Sequence, residues 1–321
     1  MTRHLGSGPV GVLLAGLLAG WALLARPGAP GGPAVAGMVL VGVLAWWAGG
    51  LLAHVHPALP GGAVGGLSTV AILAGGSGAL SGVALAAPLG YSNANAAMLT
   101  AGVAGFLTAA GHADPALRRT LVIAALALAV LTIATASLAG AAACILLLGV
   151  WPLLGRGRRA IWQLVSGATI VAAVAVTAWL GAAQEQQRPE VVEATLSSTR
   201  TDLWSDAVHM AMREPVLGVG AGNFAMQSDV ARSDSDMPSP HSAPLRVLAE
   251  LGFVGLGLLA TLTAWMILSL RRGAALLAVI ALQPTVDYVL EFPAVVVASA
   301  VVLGAVAVSG IGKPGFTPPA P

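Results

Sequence analysis

The run AIWQLVSGATIVAAVAVTAWLGA (160–182) decides the class of this chain. It contains no charged residue and exceeds the roughly 20 apolar residues that a helix needs to cross a bilayer. Directly after it the chain turns polar and stays so over residues 183–243. A long uncharged run followed by a long charged segment is the pattern of a membrane helix that delivers a loop to water.

The rest of the composition agrees. Hydrophobic residues make up 57% and charged residues only 9%, against about 25% charged in a soluble domain. Mean hydropathy is +0.87. So few charges cannot cover a water-facing surface, but they suit one that faces lipid. The 41 Gly let helices approach closely, and most of the 20 Pro fall between apolar runs. Cys144 is the only cysteine, so no internal disulfide forms. No feature suggests nucleic acid as a partner.

Outward from 160–182, apolar runs at 8–25, 34–53, 62–88, 93–111, 119–136, 138–154, 244–269, 273–287 and 293–311 read as further spans. The expected fold is therefore an all-α polytopic membrane protein of about ten transmembrane helices with one large extracytoplasmic loop. The third run is rich in Gly and Ser, which predicts a kink or break. Arg3 and the apolar stretch ending before Arg26 have a second reading as a signal peptide, but no clean small-x-small site ends the stretch, so a retained helix is expected.

Ten spans put Arg118 and Arg119, then Arg156, Arg158 and Arg159, then Arg271 and Arg272 on one side, with Arg3 and Lys313. Basic residues collect in short cytoplasmic loops, so both termini are expected inside and the 183–243 loop outside. Glu185, Glu190, Glu193, Asp202, Asp206, Glu214, Asp229, Asp234 and Asp236 all fall in that loop, and Asp114 alone is assigned to the inside. The organisation expected is 1–182 as N-terminal spans, 183–243 as outer loop, 244–311 as C-terminal spans and 312–321 as a Pro-rich cytoplasmic tail.

A loop of this length is longer than a connector needs. Within it, TRTDLWSDAVHMAMREP (199–215) spaces Leu203, Ala207, Met210 and Ala211 at three and four residues, and Trp204 and Val208 widen the stripe. This predicts an amphipathic helix on the membrane surface or on the bundle, started by Thr199 or Thr201 and ended by Pro215. LGVGAGNF (217–224) follows, with Gly218, Gly220 and Gly222. No Gly-Lys-Ser/Thr follows, so it is no Walker loop, and a glycine-rich turn is expected. The Ser/Asp-rich stretch 227–240 reads as mobile. His241 then stands at the entrance of the span from 244, where free N–H groups and the positive end of a helix favour an anion.

Four stretches together resemble the O-antigen ligase and Wzy-type polymerase family of bacterial membrane glycosyltransferases. They are LGYSNANAAML (89–99), TRTDLWSDAVHMAMREPVLGVGAGNF (199–224), HSAPLRVLAELGFVG (241–255) and TVDYVLEFPAV (285–295). Their order and spacing are those of the family. Leu138 stands where many members carry Arg, and Ser242 where Asn is common.

The resemblance implies transfer of a glycan from a polyprenyl-diphosphate carrier to a glycan or lipid acceptor, at the outer face of the bacterial cytoplasmic membrane, with membrane lipids around the site. A diphosphate leaving group gathers negative charge, and the planar guanidinium fork suits it. Arg200 is the candidate for that role; its plainer reading is an Arg paired with Asp202 or a lipid phosphate. His241 is the candidate general base or phosphate donor.

Arg213 and Arg246 are secondary cations, and Arg246 and Glu250 are spaced to pair on one helix face. Asn93 and Asn95 stand where sugar or phosphate would pass, and helix capping explains them as well. Asp287, Tyr288 and Glu291 either line a sugar groove or form a wet turn. His54 and His56 lack the partners of a closed metal site, so metal-independent transfer without a cofactor is expected. A transporter or flippase is the rival reading, against which stand the near absence of charge inside the spans and of visible repeats. A non-catalytic relative of the family is the third.

Overall fold

A computed structural model describes residues 8–75, 87–154, 158–183, 198–233 and 237–312. Among them are α-helices, short 3-10 turns and no strand. We number the helices α1 Gly8–Leu24, α2 Gly32–Val55, α3 Leu59–Gly75, α4 Ser92–Ala110, α5 Pro115–Ala134, α6 Leu138–Val150, α7 Arg159–Ala182, α8 Ser198–Arg213, α9 Phe224–Gln227, α10 Asp229–Ser233, α11 Ala243–Leu270, α12 Ala274–Val286 and α13 Pro293–Ser309.

Every apolar run of the sequence holds a helix among its described residues. By length and apolarity, Gly32–Val55, Pro115–Ala134, Arg159–Ala182 and the stretch Ala243–Val286 suffice to cross a membrane. α1, α3, α6 and α13 are apolar but shorter. The helix of the third run ends at Gly75, and residues 76–86 lie outside the described residues. So do Arg3, Arg156, Lys313, Glu185, Glu190, Glu193, Asp234 and Asp236.

The chain divides into two compact units. The second comprises Val41–Gly167, Met266–Gln283 and Phe292–Pro321. Its centre is α4, buried at every position from Ala94 to Ala110. Ala, Gly and Thr dominate this helix, so its neighbours come to backbone distance. A Cβ on Gly105 would lie 2.6 Å from the Gly61 carbonyl oxygen, and one on Gly61 only 2.4 Å from that of Gly105. Gly140 meets Ala96 from α6 in the same way. This is the packing of helices that have no hydrophobic drive to associate in lipid. The helix ends are closed by polar side chains. Asp114 accepts from the amides of Ala116 and Leu117 to cap α5, and Arg118 donates to the carbonyls of Ala110 and Ala113.

The first unit comprises Met1–Leu40, Ala168–Trp265 and Pro284–Glu291. Its core gathers the stripe of α8 (Leu203, Trp204, Ala207, Met210, Ala211) against Leu180, Phe224, Leu245, Leu248 and Ala249. Of the two placements open to the amphipathic helix, its apolar face is therefore packed on the bundle. Thr199 and Thr201 lie inside α8 rather than capping it, and Thr201 Oγ1 donates to the Ser198 carbonyl. α1 joins the unit through Leu18 and Ala22, which pack with Ala221 and Leu251.

Residues 228–233, part of the stretch 227–240, correct a second expectation. Ser228 is fully buried, donates to Asp206 and accepts from the Ala231 amide, so it starts α10 as a cap does. The composition of the stretch suggests mobility, but in residues 228–233 Ser228, Asp229, Arg232 and Ser233 are used for local hydrogen bonds, while residues 234–236 lie outside the described residues.

α11 is not one rod. Gly252 has φ 68° and ψ −172°, which breaks the helix. A break leaves carbonyls and amides unpaired, and in an apolar setting each must find a partner. The glycine-rich turn supplies them. The amides of Val219 and Gly220 donate to the carbonyls of Ala249 and Glu250 at 2.9 Å, and Trp21 Nε1 donates to that of Leu251. The Phe253 amide donates to Pro215 O at 2.7 Å. Gly218, Gly220 and Gly222 all have positive φ. At Gly218 a Cβ would also sit 2.4 Å from the Glu250 carbonyl, so both conformation and space require glycine there.

Candidate functional site

Three of the residues singled out on sequence, Arg200, His241 and Asp287, meet in the first unit, around the turn that follows α12. Asp287 is its centre. Its Oδ2 lies 3.6 Å from Arg200 Nη2, on the first turn of α8. Its Oδ1 lies 3.6 Å from His241 Nδ1. The carboxylate side chain is only 4% exposed, so the guanidinium and the imidazole face it from two sides in a setting where charges are weakly screened. Both separations exceed a tight hydrogen bond; Arg200 makes a long ion pair, and His241 becomes a charge partner when its imidazole is protonated. Asp287 Oδ1 also accepts from the Tyr288 amide at 2.7 Å, which fixes the carboxylate to its own turn.

His241 is placed by three constraints. Its φ is 48°, a left-handed conformation uncommon for a residue with a side chain. Ser242 next to it begins α11, its carbonyl accepting from the Arg246 amide at 2.9 Å. The Tyr288 ring stands edge-on to the imidazole with centroids 4.5 Å apart. The imidazole is 3% exposed, and Nδ1 has no hydrogen-bond partner among the described residues. Nε2 lies 3.1 Å from Met237 Sδ, so a thioether covers the second nitrogen. A strained, buried histidine with one nitrogen toward a carboxylate is the arrangement expected at a functional position.

One helical turn along α11 lies a second ionic group. Arg246 Nε is 3.3 Å from Glu250 Oε2, the pairing that the spacing implies, and Arg246 Nη1 pairs with Glu291 Oε1. Glu250 is buried and its Oε1 accepts from the Phe224 amide. It also takes a backbone hydrogen bond from Gly222. Glu250 thus ties the glycine-rich turn, α11 and the turn before α13 into one assembly. Its carboxylate is bonded to protein, to Arg246 and to the amides of Phe224 and Gly222.

Arg213 does not join Arg200. It stands at the other end of α8, about 20 Å along the axis at about 1.5 Å per residue. There it lines a cavity with Asp206, His209, Met210, Met226, Gln227, Asp229 and Arg232.

Asn93 and Asn95 belong to the second unit. Asn95 is fully buried, donates to Ala87 O at 2.9 Å and accepts from the Leu89 amide. Its carboxamide holds the turn before α4 and is closed to a sugar. Asn93 Nδ2 donates to Tyr91 Oη at 2.9 Å. Leu138 is the first residue of α6 and 71% exposed. Among the described residues no three His, Cys, Asp or Glu gather as a metal-binding group.

Sequence reading missed the bridging place of Asp287, because nothing in the chain order brings residues 200, 241 and 287 together. It also missed Met237 over the imidazole, for which no sequence signal exists. The break at Gly252 had a signal: a glycine in ELGFVG, preceded by a charged turn.

No curated protein matches the chain. A family model does, over residues 120–260, a range that takes in Arg200, His241, the glycine-rich turn and the break at Gly252, while Asp287 lies beyond it. That model is described as O-antigen ligase, and the family whose motifs the sequence resembles is thereby the family to which residues 120–260 match.

Proposed function

We propose that this chain transfers a glycan from a polyprenyl-diphosphate carrier to an acceptor hydroxyl at the outer face of the bacterial cytoplasmic membrane. The observation that carries the reading is the Asp287 carboxylate with Arg200 on one oxygen and His241 on the other, each at 3.6 Å. In the reaction the acceptor oxygen bonds to the anomeric carbon, and the bond from that carbon to the diphosphate oxygen breaks. The electron pair leaves on the diphosphate, where Arg200 balances the growing charge. The hydroxyl proton goes to His241. With Nδ1 turned to Asp287, the basic lone pair belongs on Nε2, the nitrogen that Met237 covers. The acceptor takes the place of that flexible thioether. Asp287 keeps the imidazole oriented and stabilises its charged form, as a carboxylate does beside a catalytic histidine.

The reading includes the topology expected from the sequence, ten spans with both termini inside and residues 183–243 outside, which would put Arg200 and His241 on the side where a lipid-linked glycan is used. Ionic groups kept to one end of apolar helices favour an enzyme at the interface over a transporter, whose charges are expected near the midplane. Metal independence follows from assigning charge neutralisation to Arg200.

The test is to replace Arg200 and His241 by Ala separately, confirm wild-type amounts in the membrane, and measure surface polysaccharide. Each variant is expected to lose polymer by about 100-fold or more. Undiminished polymer in both would overturn the catalytic assignment.

A further inference from the structure

The far end of α8 carries a feature that the reaction does not use. Two cavities of about 480 and 470 Å³ lie there, each the size of a small-molecule site. The first lies against α8, α9 and α10; the second is lined by Arg26–Pro30, Glu214, Val219 and Asn223. Both are also lined by Met226 and Gln227, exposed residues of α9. The two cavities adjoin at these two side chains, and we take them together as a trough across α9.

Its chemistry narrows the ligand. In the first cavity Arg213 and Arg232 face Asp206 and Asp229; in the second Arg26 faces Glu214. The formal charges cancel in each, so a polyanion finds no excess of positive charge. Several of these charges are already used: Arg26 pairs with Glu214, Arg232 with Asp229, and Asp206 accepts from Ser228. The side chains of His209, Arg213 and Gln227 make no hydrogen bond or ion pair among the described residues. A guanidinium, an imidazole and a carboxamide offer donors and acceptors together, beside the thioethers of Met210 and Met226. That mixture suits a chain of neutral hydroxylated rings better than a phosphate or an acyl tail.

We propose that the trough is a glycan subsite, holding sugars of a substrate chain several units away from the bond that is made. This rests on the glycan-transfer reading above. The separation of Arg213 from Arg200, about 20 Å along α8, sets the reach. Such a subsite makes affinity depend on the length of the bound glycan.

The test uses full-length protein in phosphatidylcholine nanodiscs. The probes are end-labelled oligosaccharides of graded length, released by mild acid from the surface polysaccharide of the bacterium that carries this chain. Fluorescence polarisation is expected to show affinity rising with length. Gln227→Ala and Arg213→Ala should each weaken the long probe roughly three- to tenfold, and Met226→Trp, which fills the trough without removing a polar group, should flatten the length dependence. Equal affinity for short and long probes in the wild type, or length dependence intact in all three variants, overturns the proposal. So does binding that appears only when phosphatidylglycerol is added, which would make the trough a lipid headgroup site. Arg200→Ala separates the two ideas. If it abolishes polymer while the trough variants bind normally, the subsite alone fails. If it leaves polymer intact while Gln227→Ala loses the length dependence, the transfer mechanism fails and the subsite stands.

Discussion

The two units of this protein solve the same problem by opposite means. In the second, α4 is buried along its length and held by glycines at backbone distance, such as Gly61 against Gly105. In the first, ion pairs and backbone-to-side-chain bonds run through the centre: Arg200 and His241 on Asp287, Arg246 between Glu250 and Glu291, Glu250 on the amide of Phe224. Small-residue packing costs no buried charge and offers no chemistry. Buried charge costs desolvation and leaves groups poised to react. The lesson is that a near-uniform hydropathy conceals one unit packed through small residues and one packed around ionic groups.

The largest effect expected from breaking this contrast is at Glu250. Glu250→Gln keeps the shape but leaves the half-buried Arg246 short of one partner, which should cost about 3 kcal/mol. Thermal unfolding in detergent would show it; an unchanged midpoint would mean that the ionic group is incidental. Next is Asp287→Asn, expected to cut polymer output about 100-fold, or about 2.7 kcal/mol in the barrier, at normal membrane levels. Asp287→Glu should recover part of that activity, since it restores the charge. Polymer unaffected by Asp287→Asn would remove the carboxylate from the mechanism.

In the second unit the sharpest probe is Gly105→Ala. Its methyl meets the Gly61 carbonyl, and overpacking of this kind costs about 1–3 kcal/mol. Lower yield of monodisperse protein on size exclusion is the readout, and a variant that behaves as wild type would show that α3 and α4 have slack. The smallest effect belongs to Leu138→Arg. The side chain is 71% exposed, so stability should stay within about 0.5 kcal/mol of wild type. A larger shift would place a neighbour on that face.

Much of this was legible in the chain. The apolar runs fix the helices because any helix in lipid must satisfy its backbone internally. The stripe of α8 follows from three- and four-residue spacing, and the Arg246–Glu250 pair from the same geometry. What sequence could not supply depends on folding distance. Residues 200, 241 and 287 meet only once α8, α11 and the turn after α12 are packed. Composition also misled at Ser228, where a hydroxyl that reads as solvent-seeking is fully buried and caps a helix. At Asn95 an amide that reads as reaching outward closes a turn instead.

The interruption at Gly252 has a bearing on where ionised groups can reside. The uninterrupted cylinder runs only from Phe253 to Leu270, about 27 Å at about 1.5 Å per residue, close to the ~30 Å of a hydrocarbon slab. Arg246 and Glu250 precede it. If that cylinder alone fills the greasy length, the short segment ahead of it need not be carried across the slab, and the Arg246–Glu250 pair, whose burial is offset by its mutual attraction, is spared passage through hydrocarbon.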